Sequence, residues 1–273
     1  MSVQVKASRQ NLQQSQRPSL FPSSIPTEPC HIDTFQRQTG QKNPSLAAIG
    51  IPATACATCR HGFPQAFAMD PMHAGRINSG LLKLTCPLLV RAVDQLEDDG
   101  VMEEWKVDLN NIVAKEMQEG HALHASIRQS MLSPEEIQQV QTKLGPHGAQ
   151  AFLEAGVAGA SPHDGSRMDI KCLHAWLAHA MFFRNPETTT GTETTTTTMS
   201  SSVAVSVLGN RIVDELWTRY GVELSGTISC RGMCDPTMCS SLADPPKPRN
   251  KQRLRTSKEV ERRRKRQKEQ REQ

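Results

Sequence analysis

Apolar residues recur at helical spacing through most of the middle of the chain. After Thr85-Cys86-Pro87, where a capping hydroxyl precedes a proline, an apolar stripe continues until Gly100. The stripe consists of Leu88, Leu89, Ala92, Val93 and Leu96. Similar spacing predicts helices over 101–131 with a break near Gly120, from Ser133-Pro134 onward, over 170–183 and over 205–220. The chain is therefore expected to be mostly helical.

The segment 53–69 is the exception to this helical pattern. Two short runs of small and apolar residues flank a turn at Arg60-His61-Gly62-Phe63-Pro64, which predicts a β-hairpin. We therefore expect an α+β fold, mostly α, in which a small β-hairpin packs on a helical bundle.

Composition limits how much of the chain is expected to fold. Of its 273 residues 37% are apolar, which is below the ~45–50% usual for globular domains. Residues 1–45 contain little to bury and predict a disordered N-terminal extension, and the Thr-rich stretch 187–202 predicts a surface insertion. The sequence thus predicts one globular domain over 46–240 and a basic C-terminal tail over 241–273.

Positive charge is concentrated near the C-terminus. Residues 247–273 hold 13 basic and 4 acidic side chains, whereas the whole chain has a net charge of +4, so the rest is net negative. A net negative body argues against a nucleic-acid-binding core, because such cores neutralise phosphates with Lys and Arg. The tail contains Arg262-Arg263-Arg264-Lys265-Arg266 and no aromatic residue. This pattern is typical of a solvated tail or of a segment that contacts RNA or a nuclear importer.

Hydropathy excludes the membrane-spanning class of protein. No apolar run reaches the ~18 residues that a transmembrane helix needs. The N-terminal segment also lacks the apolar stretch of a secretory signal, so we expect a cytoplasmic or nuclear protein with reduced thiols. Its acid-poor composition with Arg9 and Arg17 leaves organelle import as an alternative.

Cysteine and histidine carry the candidate chemistry. The positions that stand out are Cys56 and Cys59, then Cys86, then Cys172, His174 and His179, and finally Cys230, Cys234 and Cys239. A zinc ribbon needs two Cys-x2-Cys pairs and the chain has one, so spacing alone does not define a metal site. Inside a regular helix Cys172 and His174 lie about 200° apart. Either the helix begins near Cys172, so that the two can share an ion, or only one of them is a ligand. Near a helix start the dipole favours a thiolate, although each such cysteine has the alternative of a buried, inert thiol.

Five short stretches follow one another along the chain in a recognisable order. They are Cys59-Arg60-His61-Gly62-Phe63-Pro64-Gln65, Leu84-Thr85-Cys86-Pro87-Leu88, Leu96-Glu97 with Gly100, Gly156-Val157-Ala158-Gly159 and Lys171-Cys172-Leu173-His174. Together they resemble an uncharacterised bacterial family, domain of unknown function 501, over residues 50–239. His121 and Arg128 look like the family's His and Arg on a middle helix, and Cys230 and Cys234 are similar to a cysteine pair of some members. Residues 76–82, Cys56 and the long flanks depart from the pattern.

The resemblance implies no established activity, but it places several potential ligands in the family's motifs. We therefore hypothesise a site that binds zinc or an iron–sulfur cluster. Its predicted ligands are Cys59, Cys86, Cys172, His174, Cys230 and Cys234. The candidate acid, base or anion-binding residues are His121, Arg128 and His179.

Two alternatives remain open from the sequence. The first is a metal-free thiol enzyme in which Cys172 or Cys86 is the nucleophile and His174 the base. The second is a non-catalytic adaptor whose basic tail contacts RNA or an importer. The sequence names no substrate or reaction.

Overall fold

The computed structural model describes most of the central part of the chain. The described residues are 20–51, 58–59, 61–108, 112–163, 170–183, 206–222, 237 and 239. Their strands are β1 (Ser24–Pro26), β2 (Leu46–Gly50), β3 (Ala66–Met69), β4 (Met72–His73), β5 (Arg76–Ile77) and β6 (Leu82–Leu84). Their helices are α1 (Pro29–Thr39), α2 (Pro87–Asp98), α3 (Val101–Asp108), α4 (Ile112–Ser130), α5 (Pro134–Glu154), α6 (Leu173–Phe183) and α7 (Ser206–Glu215). A 3-10 turn (Val157–Gly159) follows α5, and a π-helical turn (Leu216–Tyr220) continues α7.

The described elements confirm the predicted fold class, which is α+β and mostly α. Four strands form an antiparallel sheet in the order β1-β2-β3-β6, and β4 pairs with β5 separately. Side chains alternate across a strand, and all four residues of β3 are buried, so the sheet is covered on both faces at this strand. Ala66 and Ala68 of β3 join the main core with the helices, whereas Phe67 and Met69 pack with Phe35 of α1.

The N-terminal prediction of disorder over 1–45 is wrong for residues 20–45. β1 pairs with β2, and α1 places Phe35 against Phe67 with ring centroids 5.1 Å apart. Phe21 is buried beside Phe182, with ring centroids 5.3 Å apart. Phe21 and Phe35 thus anchor this segment on an apolar cluster at each face of the sheet, and β1 pairs along its edge. Residues 1–19, 187–202 and 241–273 lie outside the described residues.

The hairpin predicted over 53–69 is partly wrong. Its second arm is β3, but β3 pairs with β2 on one side and with β6 on the other. Near the predicted turn there is an isolated bridge between Thr58 and Pro64. The local pattern identifies a strand, whereas the partner strand depends on distant parts of the chain. Residues 52–57 lie outside the described part.

Helix α6 is the centre of the fold and positions the candidate site. Nine of its 11 residues are buried, all except His174 and Ala175, which is typical of a helix enclosed by other elements. It packs against α7, β6 and α2. The contact with α7 is close, because a Cβ atom at Gly209 would lie 2.2 Å from Cβ of Ala180. No helix among the described residues is long and apolar enough to cross a membrane.

Replacing Gly209 with alanine is expected to destabilise the fold by about 1–3 kcal/mol, as overpacking does in other cores. Helix propensity alone would favour alanine by ~1 kcal/mol, so the contact with Ala180 decides the sign. Urea unfolding measures the difference. Adding Ala180→Gly should recover part of the loss, and a Gly209→Ala chain more stable than the original would contradict this packing.

Candidate functional site

Three side chains with metal-binding atoms converge where α2 ends and α6 begins. Glu97 lies in the last turn of α2, Cys172 directly precedes α6, and His174 is the second residue of α6. One ligand atom of each lies within 4.8 Å of the other two. The helix begins at Leu173, after the predicted start at 170, so Cys172 is outside the regular helix and can share a site with His174. We call these three residues the Glu97 site.

The contacts within the Glu97 site are short and well defined. Cys172 Sγ lies 3.8 Å from His174 Nδ1, which lies 3.3 Å from Glu97 Oε1. The Leu173 backbone N–H donates to the same Glu97 oxygen at 2.7 Å. The His174 and Glu97 side chains are 20% and 23% exposed, so the site is partly shielded and still reachable from solvent.

The far side of the His174 ring is held by two acceptors. Nε2 lies 3.2 Å from the Val90 carbonyl oxygen, two turns before the end of α2, and 3.3 Å from Asp94 Oδ1, one turn before that end. A histidine that ligates a metal usually donates its other ring N–H to a carboxylate or a backbone carbonyl in this way, which fixes the ring orientation. The ring is therefore oriented with Nδ1 towards Cys172 and Glu97.

Charge within the Glu97 site is balanced between its members. Burial lowers the pKa of His174, but hydrogen bonds and charge interactions with Cys172 and Glu97 outweigh burial and raise the pKa to about 10. Burial raises the pKa of Glu97, but the interactions with His174 and the Leu173 and His174 backbone outweigh it and lower the pKa. Without a metal the site thus favours an imidazolium beside a carboxylate.

The other predicted ligands do not join the Glu97 site within the described residues. Cys86 is the N-cap of α2, about 16 Å along the helix axis from Glu97 at the opposite end. Cys59 is buried in a turn, where its backbone N–H donates to the Phe63 carbonyl. Cys230 and Cys234 lie outside the described residues.

A second group of potential ligands lies at the start of α1. Glu28, Cys30 and His31 fall within 4.8 Å of one another, and two of the three are exposed. The Glu28 backbone N–H donates to His31 Nδ1, which makes this group a capping box of α1. Helix capping therefore explains it.

The predicted acid, base or anion-binding residues lie in a different place, between α4 and α6. His121 and Arg128 of α4 and His179 of α6 are buried together with His124 and Trp176, and we call these five residues the histidine cluster. The His124 and His179 rings stack at 5.9 Å, and the Trp176 ring lies 5.0 Å from His121 and 5.7 Å from His179.

Glycines allow the backbone to approach the histidine cluster closely. A Cβ at Gly120 would lie 3.0 Å from the Trp176 ring, and one at Gly156 would lie 2.6 Å from His121. The turn after α5 also donates the Val157 backbone N–H to His121 Nδ1 at 3.0 Å. The predicted helix break at Gly120 is therefore wrong, because this glycine serves packing inside α4.

Burial lowers the pKa of two imidazoles of the cluster, those of His124 and His179. Burial and the charge of His121 lower the pKa of His179 to about 3, and the nearby Gly120 carbonyl only partly opposes this. Burial, together with the charges of Arg128, His179 and His121, holds the pKa of His124 well below its usual range. At neutral pH their ring nitrogens therefore offer lone pairs as well as N–H groups.

Sequence reasoning missed Glu97 as a potential ligand and His124 as a member of the cluster. Glu97 stands in the family-like stretch Leu96-Glu97, but its role depends on contact with His174, which is 77 residues away along the chain. His124 is three residues after His121 and four before Arg128, so helical spacing alone places all three on one face of α4. That spacing is a signal from which His124 was predictable.

Comparison with known proteins identifies the family without a function. Residues 55–193 match the family described as Protein of unknown function (DUF501). The matched range includes the Glu97 site and the histidine cluster. The searches found no matching curated protein and no matching solved structure.

Proposed function

The chain belongs to the DUF501 family of proteins of unknown function, and within that fold we propose that the Glu97 site binds zinc. The observation that carries the proposal is the meeting of a thiol, an imidazole and a carboxylate within 4.8 Å of one another. Zinc accepts sulfur, nitrogen and oxygen ligands in proteins.

The spacing of the site supports this proposal. Tetrahedral zinc, at about 2.1 Å from nitrogen or oxygen and 2.3 Å from sulfur, places neighbouring ligand atoms about 3.3–3.6 Å apart. The nitrogen-to-oxygen distance of 3.3 Å fits this range, and the sulfur-to-nitrogen distance of 3.8 Å is close to it. Zinc would take the place of the proton on His174 Nδ1, while Asp94 and the Val90 carbonyl hold the opposite side of the ring.

The mixed ligand set favours zinc over an iron–sulfur cluster. Such clusters are held mainly by several cysteine thiolates, and the Glu97 site has one thiol among its three ligands. Three protein ligands leave a fourth position for water or a substrate, as in catalytic zinc sites. Cys230 and Cys234 remain predicted ligands for that position, and filling it would make the site structural.

Replacing Glu97 with glutamine tests the proposal with little change in shape. Glutamine can still accept the Leu173 N–H, but it lacks the charge and ligates zinc weakly, so zinc affinity should fall at least tenfold. Asp98→Asn is the matched control, because this neighbouring carboxylate is exposed and should leave affinity unchanged. A chelator-competition titration measures both variants. Equal affinities in Glu97→Gln and the original chain would contradict the assignment of Glu97.

A thiol enzyme is the second candidate, because the same geometry also orients a nucleophile. His174 contacts the Cys172 sulfur through Nδ1 and the Asp94 carboxylate through Nε2, which is the order of a thiol, a base and an orienting acid. If the protein is a thiol enzyme, Cys172 of the metal-free chain should react faster than Cys30 with an alkylating agent. The rate of Cys172 alkylation should fall strongly in Asp94→Asn. If zinc protects Cys172 from alkylation, the metal proposal is favoured.

The adaptor alternative remains a prediction. It depends on residues 247–273, which lie outside the described residues. Deleting this tail should abolish RNA or importer binding if the alternative is correct.

A further inference from the structure

The histidine cluster contains polar atoms that have no hydrogen-bond partner among the described residues. They are His124 Nδ1, Arg128 Nε, Trp176 Nε1 and one ring nitrogen of His179, whose other ring nitrogen interacts with the Gly120 carbonyl. The four side chains are at most 4% exposed. A buried polar atom without a partner costs about 1–3 kcal/mol, so several in one place require an explanation.

Arg128 adds a buried charge to this group. Its Nη1 donates to the Phe152 carbonyl at 3.0 Å and also to the Ala155 carbonyl. Its Nη2 donates to the Ser79 carbonyl at 3.4 Å, and the guanidinium group lies over the Phe152 ring. No carboxylate partner of Arg128 occurs in the described part of the chain. A buried cation held only by neutral carbonyls is costly, and an anion would offset that cost.

The same residues are poorly suited to a cation. A metal ion needs several ligand atoms close together. Among the described residues, no group of three or more potential ligand atoms within 4.8 Å of one another includes a histidine of the cluster. The charge of Arg128 also interacts with His124 and opposes a second positive charge there. An oxyanion suits the group better, because guanidinium and indole N–H groups donate and a neutral imidazole can donate through one nitrogen.

We propose that the histidine cluster is a binding site for a small oxyanion, a phosphate or a carboxylate group. Arg128 Nε and Trp176 Nε1 donate to it, and His124 and His179 complete its surroundings. The site is distinct from the Glu97 site, because His174 and His179 lie about 140° apart around α6. This inference therefore does not depend on zinc binding.

Thermal unfolding of the full chain in a metal chelator tests the proposal with inorganic phosphate as the probe. Phosphate at about ten times its dissociation constant should raise the unfolding midpoint by about 3 °C over sodium chloride of equal ionic strength. Arg128→Gln should abolish the rise, whereas Arg76→Gln, at an exposed arginine, should keep it. Acetate in place of phosphate distinguishes a carboxylate site from a phosphate site, and a specific rise with either anion supports the proposal.

Histidine NMR signals provide a readout that does not need a variant to fold. In the original chain phosphate should shift the ring C–H signals of His124 and His179 and leave exposed His163 unchanged. The proposal is overturned if neither oxyanion exceeds chloride in unfolding, or if phosphate shifts all three histidines equally.

Discussion

Replacing Cys172 with serine is expected to lower zinc affinity more than 100-fold. The thiolate is the strongest ligand among the three atoms of the Glu97 site, and serine offers only a neutral hydroxyl in its place. Loss of an outer partner of a metal ligand already costs 10–100-fold, so loss of the ligand itself should cost more. Zinc content after dialysis, together with competition against a chelator, measures the effect.

Cys86→Ser is the informative control for this experiment. The sequence-based hypothesis includes Cys86 as a ligand, whereas the structure places it at the opposite end of α2 from Glu97. Serine is a favoured N-cap residue, so the variant should fold and keep its zinc. If Cys86→Ser loses zinc and Cys172→Ser retains it, the Glu97 site is not the metal site.

Acidification should strongly destabilise the metal-free fold through the histidine cluster. The pKa of His179 is about 3 in the folded chain and near 6.5 when the chain is unfolded. Between these values the unfolded state binds more protons, so stability is complete above pH 6.5 and falls as the pH decreases towards 3. At pH 4 the loss from His179 alone is about 3 kcal/mol, on the scale of 1.36 kcal/mol per pH unit.

The readout is the pH dependence of urea unfolding, compared between the original chain and His179→Gln. Glutamine does not titrate, so the difference in unfolding free energy between the two chains should shrink as the pH falls from 6.5 to 4. His174 affects stability in a different pH range because its pKa is raised. Its contribution to the free energy of unfolding is complete below pH 6.5 and is lost as the pH rises towards 10. Parallel pH profiles for the two chains would contradict the neutral, buried state of His179.

Local signals predict the helices of this fold well. Pro87 begins α2 after Cys86, and Ser133 forms a capping box with Glu136 at the start of α5. These features depend on neighbours within one turn, so the sequence contains them directly. The cap of α2 shows the limit, because Cys86 takes the N-cap position and the Thr85 hydroxyl donates to the Gln65 carbonyl.

Long-range contacts account for most of what sequence reasoning missed. The pairing of β3 with β2 and β6, and the docking of α1 through Phe35, depend on surfaces that no local period reveals. The sequence predicted Cys172 and His174 as ligands near a helix start, and the structure brings them together with Glu97. Glu97 was not predictable as their partner, because only the packing of α2 on α6 brings it to them.

The zinc content of the full chain tests the central claim most directly. The protein should be purified without an affinity tag under reducing conditions and analysed by elemental mass spectrometry beside a visible absorption spectrum. We expect close to one zinc ion bound at the Glu97 site, lost in Cys172→Ser, and no visible absorption band. A chain that contains no zinc and takes up none on addition, or one that contains iron with visible absorption, would contradict the claim.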